Sequence, residues 1–294
     1  MLQDIKTTAS SPSARSGSLV IDKLGFEIVH GCQLRCVGCP NSTLKPKVKL
    51  IHPDDFGRAL SNIDVATVSL LRLFNFGEPL LHDRLPEILL KIPQQAWRPR
   101  IVEVSTNAQY HDFNLLAESF RTGVLTRLCV SCDGDGTPEH YERLRPPAKW
   151  EKLIGFLHRA RELRDRFAPG LTLMTRTICI DPNHQRRWTD MLEPLGYAVE
   201  FRDWQYFPES STNMLSRSLK VPDGVCAFIK PGRRLYVDWD GTVVPCCVHP
   251  RAAVFGNLFE QRYSEILNGP KRLEVIGSMQ NDRHGMKICS ECEY

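Results

Sequence analysis

No stretch of this 294-residue chain approaches the roughly 20 uninterrupted apolar residues of a membrane-spanning helix, so a transmembrane role is excluded. The N-terminal MLQDIKTTASSPSARSGS lacks the apolar segment of a secretion signal and reads as a loose polar tail. Charge of one sign is also scarce. Lys and Arg number 38 against 34 Asp and Glu, and a formal charge of +4 argues for neither nucleic acid nor an anionic membrane surface as partner. No internal repeat is present, and no low-complexity tract follows the tail. With 42% apolar and 24% charged residues, wholesale disorder is excluded; the length suits one large domain with a small appendage. The expectation is a soluble, cytoplasmic protein.

Cysteine, by contrast, is in surplus. Eleven is an odd number, and in a reducing compartment structural disulfides are the least expected use. Metal ligation, catalysis and core packing remain, and spacing separates them.

Strand-like and helix-like segments alternate after the tail. Strands are predicted at 25–30, 67–74, 101–105, 125–131, 171–180 and 198–201, and helices at 54–63, 83–91, 112–120, 150–167 and 185–195. In the longest helix, Leu153, Phe156, Leu157, Ala160 and Leu163 recur at helical spacing. Six such alternations predict an α/β fold, a partial (βα)6 TIM-like barrel whose chemistry sits at the carboxyl ends of its strands. A polar stretch at 208–220 reads as a linker or lid. Two β-forming runs then flank the turn Asp240-Gly241, predicting a hairpin, with a short helix near 263–267 beyond it. The domains expected are a flexible tail (1–22), the barrel (23–207) and a small C-terminal hairpin and helix domain (208–294).

Cys32, Cys36 and Cys39 form a C-x3-C-x2-C set directly after the first strand. Three thiolates on such a loop can hold three corners of a cubane iron–sulfur cluster and leave the fourth iron open for reaction. Three unrelated thiols, or a zinc site completed by His30, are the alternatives. From about Gly25 to the last residue the chain resembles the radical S-adenosylmethionine (SAM) enzymes. The resemblance implies that the open iron chelates SAM and that a 5′-deoxyadenosyl radical takes a hydrogen atom from substrate.

The later strand ends follow the same resemblance. Gly77-Glu78-Pro79 looks like the family's GEP segment, which meets the SAM ammonium. Ser105 and Asn107 end the third strand, where the family places polar SAM contacts. Ser131 and Asp133 end the fourth, and Arg176 on the fifth can pair with the SAM carboxylate. Taken singly, each has a plainer role as turn, helix cap or barrel salt bridge. The sequence departs from many relatives at Gly38, where they carry an aromatic residue, so adenine packing must come from elsewhere.

Cys226, Cys246, Cys289 and Cys292 look like a SPASM/twitch extension carrying a second, auxiliary [4Fe-4S] cluster with no open iron; a zinc ribbon is the alternative. Cys129, Cys132 and Cys179 are expected in the core. Cys247 directly follows a presumed ligand and should point differently, as a free thiol able to give a hydrogen atom to a substrate radical. Arg202 and Asp203, at the end of the sixth strand, can hold a polar substrate or accept its proton.

The resemblance therefore implies epimerisation of a sugar or aminoglycoside-type substrate with Cys247 as donor. The alternatives are dehydrogenation of a sugar or aminocyclitol with the auxiliary cluster as electron acceptor, or radical modification of a ribosomal peptide. A flavodoxin or ferredoxin would supply electrons. A zinc or iron–sulfur scaffold protein is the non-enzyme alternative, but it leaves the ordered strand-end motifs unexplained.

Overall fold

The computed structural model of the protein describes residues 19–109, 112–207, 209–210, 214, 218–229 and 233–294. Residues 1–18 of the expected tail and much of the expected 208–220 linker lie outside the described residues.

The chain opens with β1 (Val20–Phe26), followed by β2 (Val29–His30), α1 (Pro40–Leu44) and β3 (Lys49–Leu50). It then alternates: α2 (Pro53–Ser61), β4 (Thr67–Arg72), α3 (Leu85–Lys91), β5 (Pro99–Thr106), α4 (Phe113–Arg121) and β6 (Arg127–Ser131). After α5 (Pro138–Leu144) and α6 (Trp150–Phe167) come β7 (Thr172–Ile178), α7 (Pro182–Leu192) and β8 (Ala198–Arg202). Helix starts are chemically marked. Asp112 accepts the backbone N–H groups of Asn114 and Leu115, and Asp181 those of Asn183 and His184, so each carboxylate satisfies donors that a helix leaves orphaned.

Strands β1, β4, β5, β6, β7 and β8 lie side by side and parallel, as six crossover helices require. The predicted face of α6 is buried as spaced, at Leu153, Phe156, Leu157, Ala160 and Leu163. Phe26, Phe56, Phe120, Tyr141 and Trp188 are the bulkiest fully buried side chains of the same core.

Several elements depart from the sequence reading; the unpredicted α5 is one, and three more have identifiable physical reasons. The first strand starts earlier than expected and breaks after Phe26. There Glu27 turns its carboxylate to the N–H groups of Phe76 and Gly77, and the chain leaves the sheet to pair β2 with β3. The predicted hairpin is present as β9 (Arg234–Val237) and β10 (Thr242–Val244), but it is not set apart from the barrel. β9 pairs in parallel with β1, from Lys23↔Arg234 to Phe26↔Val237, and β10 and β11 (Gly256–Asn257) extend the sheet to nine strands. The open edge of β1 thereby gains a partner instead of exposing its ladder groups. α8 (Tyr263–Leu267) falls where predicted, whereas α9 (Pro270–Asp282) was not anticipated; Met279 is its one buried residue, so it carries no apolar stripe to read. Among the described residues no helix is long and apolar enough to cross a membrane.

Candidate active site

The sheet register sets a polar row along its concave face. Arg72 lies opposite Glu103, Glu103 opposite Arg127, Ser131 opposite Arg176, Arg176 opposite Glu200, and Ile178 opposite Arg202. Glu103 is fully buried and held by Arg72 at 3.1 Å, Arg127 at 3.0 Å and Arg176 at 3.4 Å. A buried carboxylate so placed is stable only because several cations share it.

Above this row, at the strand ends, opens a cavity of about 340 Å³. Its lining brings together Cys32, Cys36 and Cys39, then Gly77, Glu78, Ser105, Asn107, Ser131, Asp133 and Arg176, and finally Arg202, Asp203 and Cys247. Residues 215 positions apart in the chain thus face one space. Pro79 does not join them: it is buried as the first residue of a short 3-10 turn.

The cysteine loop is clamped from below. A Cβ on Gly77 would lie 1.6 Å from the Val29 carbonyl oxygen, so only glycine permits this approach. The Glu78 N–H donates to the Gly31 carbonyl at 3.0 Å, one residue before Cys32. Glu78 itself is buried, which pushes its carboxyl pKa up, and its two oxygens accept the N–H groups of Leu80 (3.0 Å) and Asn107 (2.7 Å). Asn107 donates through Nδ2 to Cys32 Sγ at 3.3 Å and exchanges amide hydrogen bonds with Gln33. Glu78 and Asn107 therefore also build the loop that carries the thiols.

Burial pushes the metal-free thiols up, Cys32 to about 12 and Cys39 to about 11, with Cys36 shifted in the same direction. Such thiols surrender their protons to a metal, not to water. Arg145 was not singled out in the sequence, yet it lines the cavity and pairs with Asp133. Burial opposes its charge, but Cys36 and then Asp133 more than offset that, so a fixed cation stands beside the thiols. Asp133 is also tied to the Ile178 N–H at 3.0 Å. Arg176, expected to meet a SAM carboxylate, is already engaged with Glu200 (3.1 Å) and Glu103, which is the plainer barrel role. Arg202 pairs with Glu200, and Asp203 accepts the N–H of Trp204.

The aromatic residue missing at Gly38 has a replacement in space. A Cβ built on Gly38 would lie 3.4 Å from the Trp204 ring, and Trp204 lines the cavity. The sequence holds no signal for this, since 166 positions separate the two.

The second cysteine set is sealed. Cys226, Cys246 and Cys292 are buried and Cys289 is partly so. Cys226 lies within electrostatic reach of each of the other three. Cys246 Sγ accepts the His249 N–H at 3.2 Å and Cys226 Sγ that of Phe228 at 3.4 Å. Buried Arg283 donates to the carbonyls of Cys292 and Tyr294, placing a cation beside the set. Among the described residues no three His, Cys, Asp or Glu side chains converge closely enough to hold one metal ion. Cys129, Cys132 and Cys179 are buried, in line with core packing.

Cys247 parts company with Cys246. It lines the cavity, near Lys23 and Arg72 and beside buried Tyr236, whose pKa is pushed up by burial and then by Cys247.

Residues 226–293 match the model of the SPASM iron–sulfur cluster-binding domain. No curated protein matches the sequence. Solved structures share the fold: BtrN in complex with AdoMet and 2-DOIA aligns with TM-score 0.55 at 16% identity, covering 94% of each chain. Native anSMEcpe with bound AdoMet aligns with TM-score 0.60 at 13% identity over 92% of this chain and 89% of the other. Its complex with AdoMet and the Cp18Cys peptide gives TM-score 0.60 at 14% identity, covering 93% and 88%. The expected barrel fold is thus shared with two AdoMet-bound structures, and the expected auxiliary-cluster domain matches the SPASM model over residues 226–293.

Proposed function

We propose that this radical SAM chain is an epimerase of a small, hydroxylated, sugar-type substrate, with Cys247 as the hydrogen-atom donor. One observation carries the reading: of two consecutive cysteines, Cys246 is buried with the C-terminal thiols while Cys247 joins Cys32, Cys36 and Cys39 in the cavity lining. When bound, a [4Fe-4S] cluster on Cys32, Cys36 and Cys39 together with SAM supplies the 5′-deoxyadenosyl radical that removes a hydrogen atom from a substrate carbon.

The chain's own residues place and protect that chemistry. Trp204, packed near Gly38, offers a flat face for adenine. Ser105, Ser131 and Asp133 supply polar contacts along the strand ends, and Glu78 and the Gly77 backbone face the methionine part. Cys247 then acts on the substrate. Its S–H bond breaks as a C–H bond forms on the carbon that lost its hydrogen, and configuration inverts. The thiyl left behind takes one electron from a flavodoxin- or ferredoxin-type protein and one proton from water to become a thiol again. Cys226, Cys246, Cys289 and Cys292 hold a second cluster whose role in this reading is electron supply.

The test is Cys247→Ala in reconstituted enzyme. It should still form 5′-deoxyadenosine but no inverted product, and the unaltered enzyme in deuterated water should place one deuterium on the inverted carbon. Inversion retained in the variant removes the proposal. A carbonyl product free of solvent deuterium would instead indicate dehydrogenation, and a modified peptide would align the chain with the peptide-bound anSMEcpe complex.

A further inference from the structure

Taking the cavity as the substrate site, as the reading above does, we infer that the substrate carries an anionic group, a carboxylate or a phosphate, seated between Arg72 and Arg202 on the Cys247 side. The charge count on the concave face carries this. Four guanidiniums, of Arg72, Arg127, Arg176 and Arg202, share two carboxylates, Glu103 and Glu200. Arg127 and Arg176 are spent on those carboxylates, at 3.0–3.4 Å. Arg72 and Arg202 both line the cavity and keep donors to spare.

Arg72 is the more telling of the two. Its Nε stands 3.1 Å from Glu103 Oε1 but off hydrogen-bond geometry, and among the described residues this buried atom makes no hydrogen bond. Its Nη nitrogens make no hydrogen bond among the described residues. Arg202 reaches Glu200 through Nε and Nη2, which leaves Nη1 uncommitted. Behind them on β1, Lys23 has its pKa lowered by burial and by the positive charges of Arg72, Arg234 and Arg202, so the cluster repels itself. Asp203 lines the same cavity, where it accepts the Trp204 N–H; with its charge counted, the four guanidiniums still outnumber three carboxylates. A ligand oxyanion would supply the missing acceptor and relieve the repulsion, and a guanidinium fork matches carboxylate and phosphate geometry alike. A polycationic aminoglycoside would meet like charge instead, which narrows the substrate class to acidic or phosphorylated sugars.

Equilibrium dialysis of reconstituted holoenzyme saturated with SAM tests this with four probes: galacturonate, galactose 6-phosphate, galactose and neamine. One of the two anionic sugars should bind at least about tenfold more tightly than galactose, the scale of one charge-assisted hydrogen-bonded contact, and should weaken with salt. Preference between the two names carboxylate or phosphate as the group. Arg202→Gln, on a partly exposed edge strand, and Arg72→Gln should each lower that affinity about tenfold, with Arg72→Lys recovering part of it. Iron content per chain shows whether each variant has folded. Equal binding of galactose, preference for neamine, no anion binding, or unchanged affinity in both folded variants overturns the inference. Formation of 5′-deoxyadenosine by the unaltered enzyme is read separately. Its absence would sink the radical reading and leave the anion result standing.

Discussion

Cys32, Cys36 and Cys39 sit on a loop that opens into a cavity, walled by Asn107, Glu78 and Arg145, whereas Cys246 and Cys292 are packed among Tyr236, Val244 and Val248, with Cys226 buried in the main core and Arg283 bonded to the Cys292 carbonyl. The same type of ligand is thus set in two different surroundings, one open and one packed. A reactive centre needs an open coordination position and room for a substrate; an electron-handling centre needs insulation and fixed N–H donors to its sulfurs. Cys247 marks the border, one residue from the sealed set and facing the open one.

The sharpest way to break this comparison is to remove one thiol from each side. Cys32→Ala should lower 5′-deoxyadenosine formation by more than about 10³-fold, the scale seen when a catalytic centre is lost, and reduce iron from about eight to about four per chain. Cys246→Ala should reduce iron equally but lower the melting temperature as well, because its cluster lies inside a packed core. Cys247→Ala should keep about eight iron. Equal iron loss in the two neighbouring variants would merge their roles, and about four iron with one zinc in the unaltered protein would make the C-terminal set a structural clamp.

The supports of the open site come next in size. Gly77→Ala drives a Cβ into the Val29 carbonyl and should cost about 4 kcal/mol or more in chemical denaturation, with loss of the first cluster before the second. Glu103→Gln leaves Arg72, Arg127 and Arg176 short of a buried counter-charge and should cost about 3–5 kcal/mol. Wild-type stability in Gly77→Ala would show that the close approach to Val29 is dispensable, and in Glu103→Gln that the polar row is.

The smallest effect lies at the seam between the two regions. Asp238, at the end of β9, has its carboxyl pushed up to about 7 by burial first and then by Glu27 and Asp240. Folding therefore favours the protonated form. The contribution of this group to stability is fully present below the ordinary carboxylate range and is lost as pH rises from 3.8 towards 7. Asp238→Asn should remove that loss, stabilising the protein at pH 8 by on the order of 2 kcal/mol and leaving it little changed near pH 4. A parallel pH profile for variant and parent would refute the assignment.

Much of the fold was legible because its signals are local. The apolar spacing of 150–167 and the β-rich run that starts at 67 each act within a few residues of themselves. The break after Phe26 was not legible, because its cause is a pair of hydrogen bonds that Glu27 accepts from Phe76 and Gly77, about 50 positions on. Arg145 and Trp204 were missed for the same reason: nothing near them in the chain announces Cys36 or Gly38 as a neighbour.

The sequence by itself determined the two cysteine sets, the alternating strands and helices and the order of the strand-end motifs, since spacing and periodicity are properties of neighbouring residues. Only the tertiary structure decided that Cys246 and Cys247 face different surroundings and that the hairpin is bonded to β1. It alone set Arg176 on carboxylates of the barrel and left Arg72 with donors to spare. Those outcomes depend on which distant groups share a limited supply of charge, hydrogen-bond partners and space once the sheet has closed the distance between them.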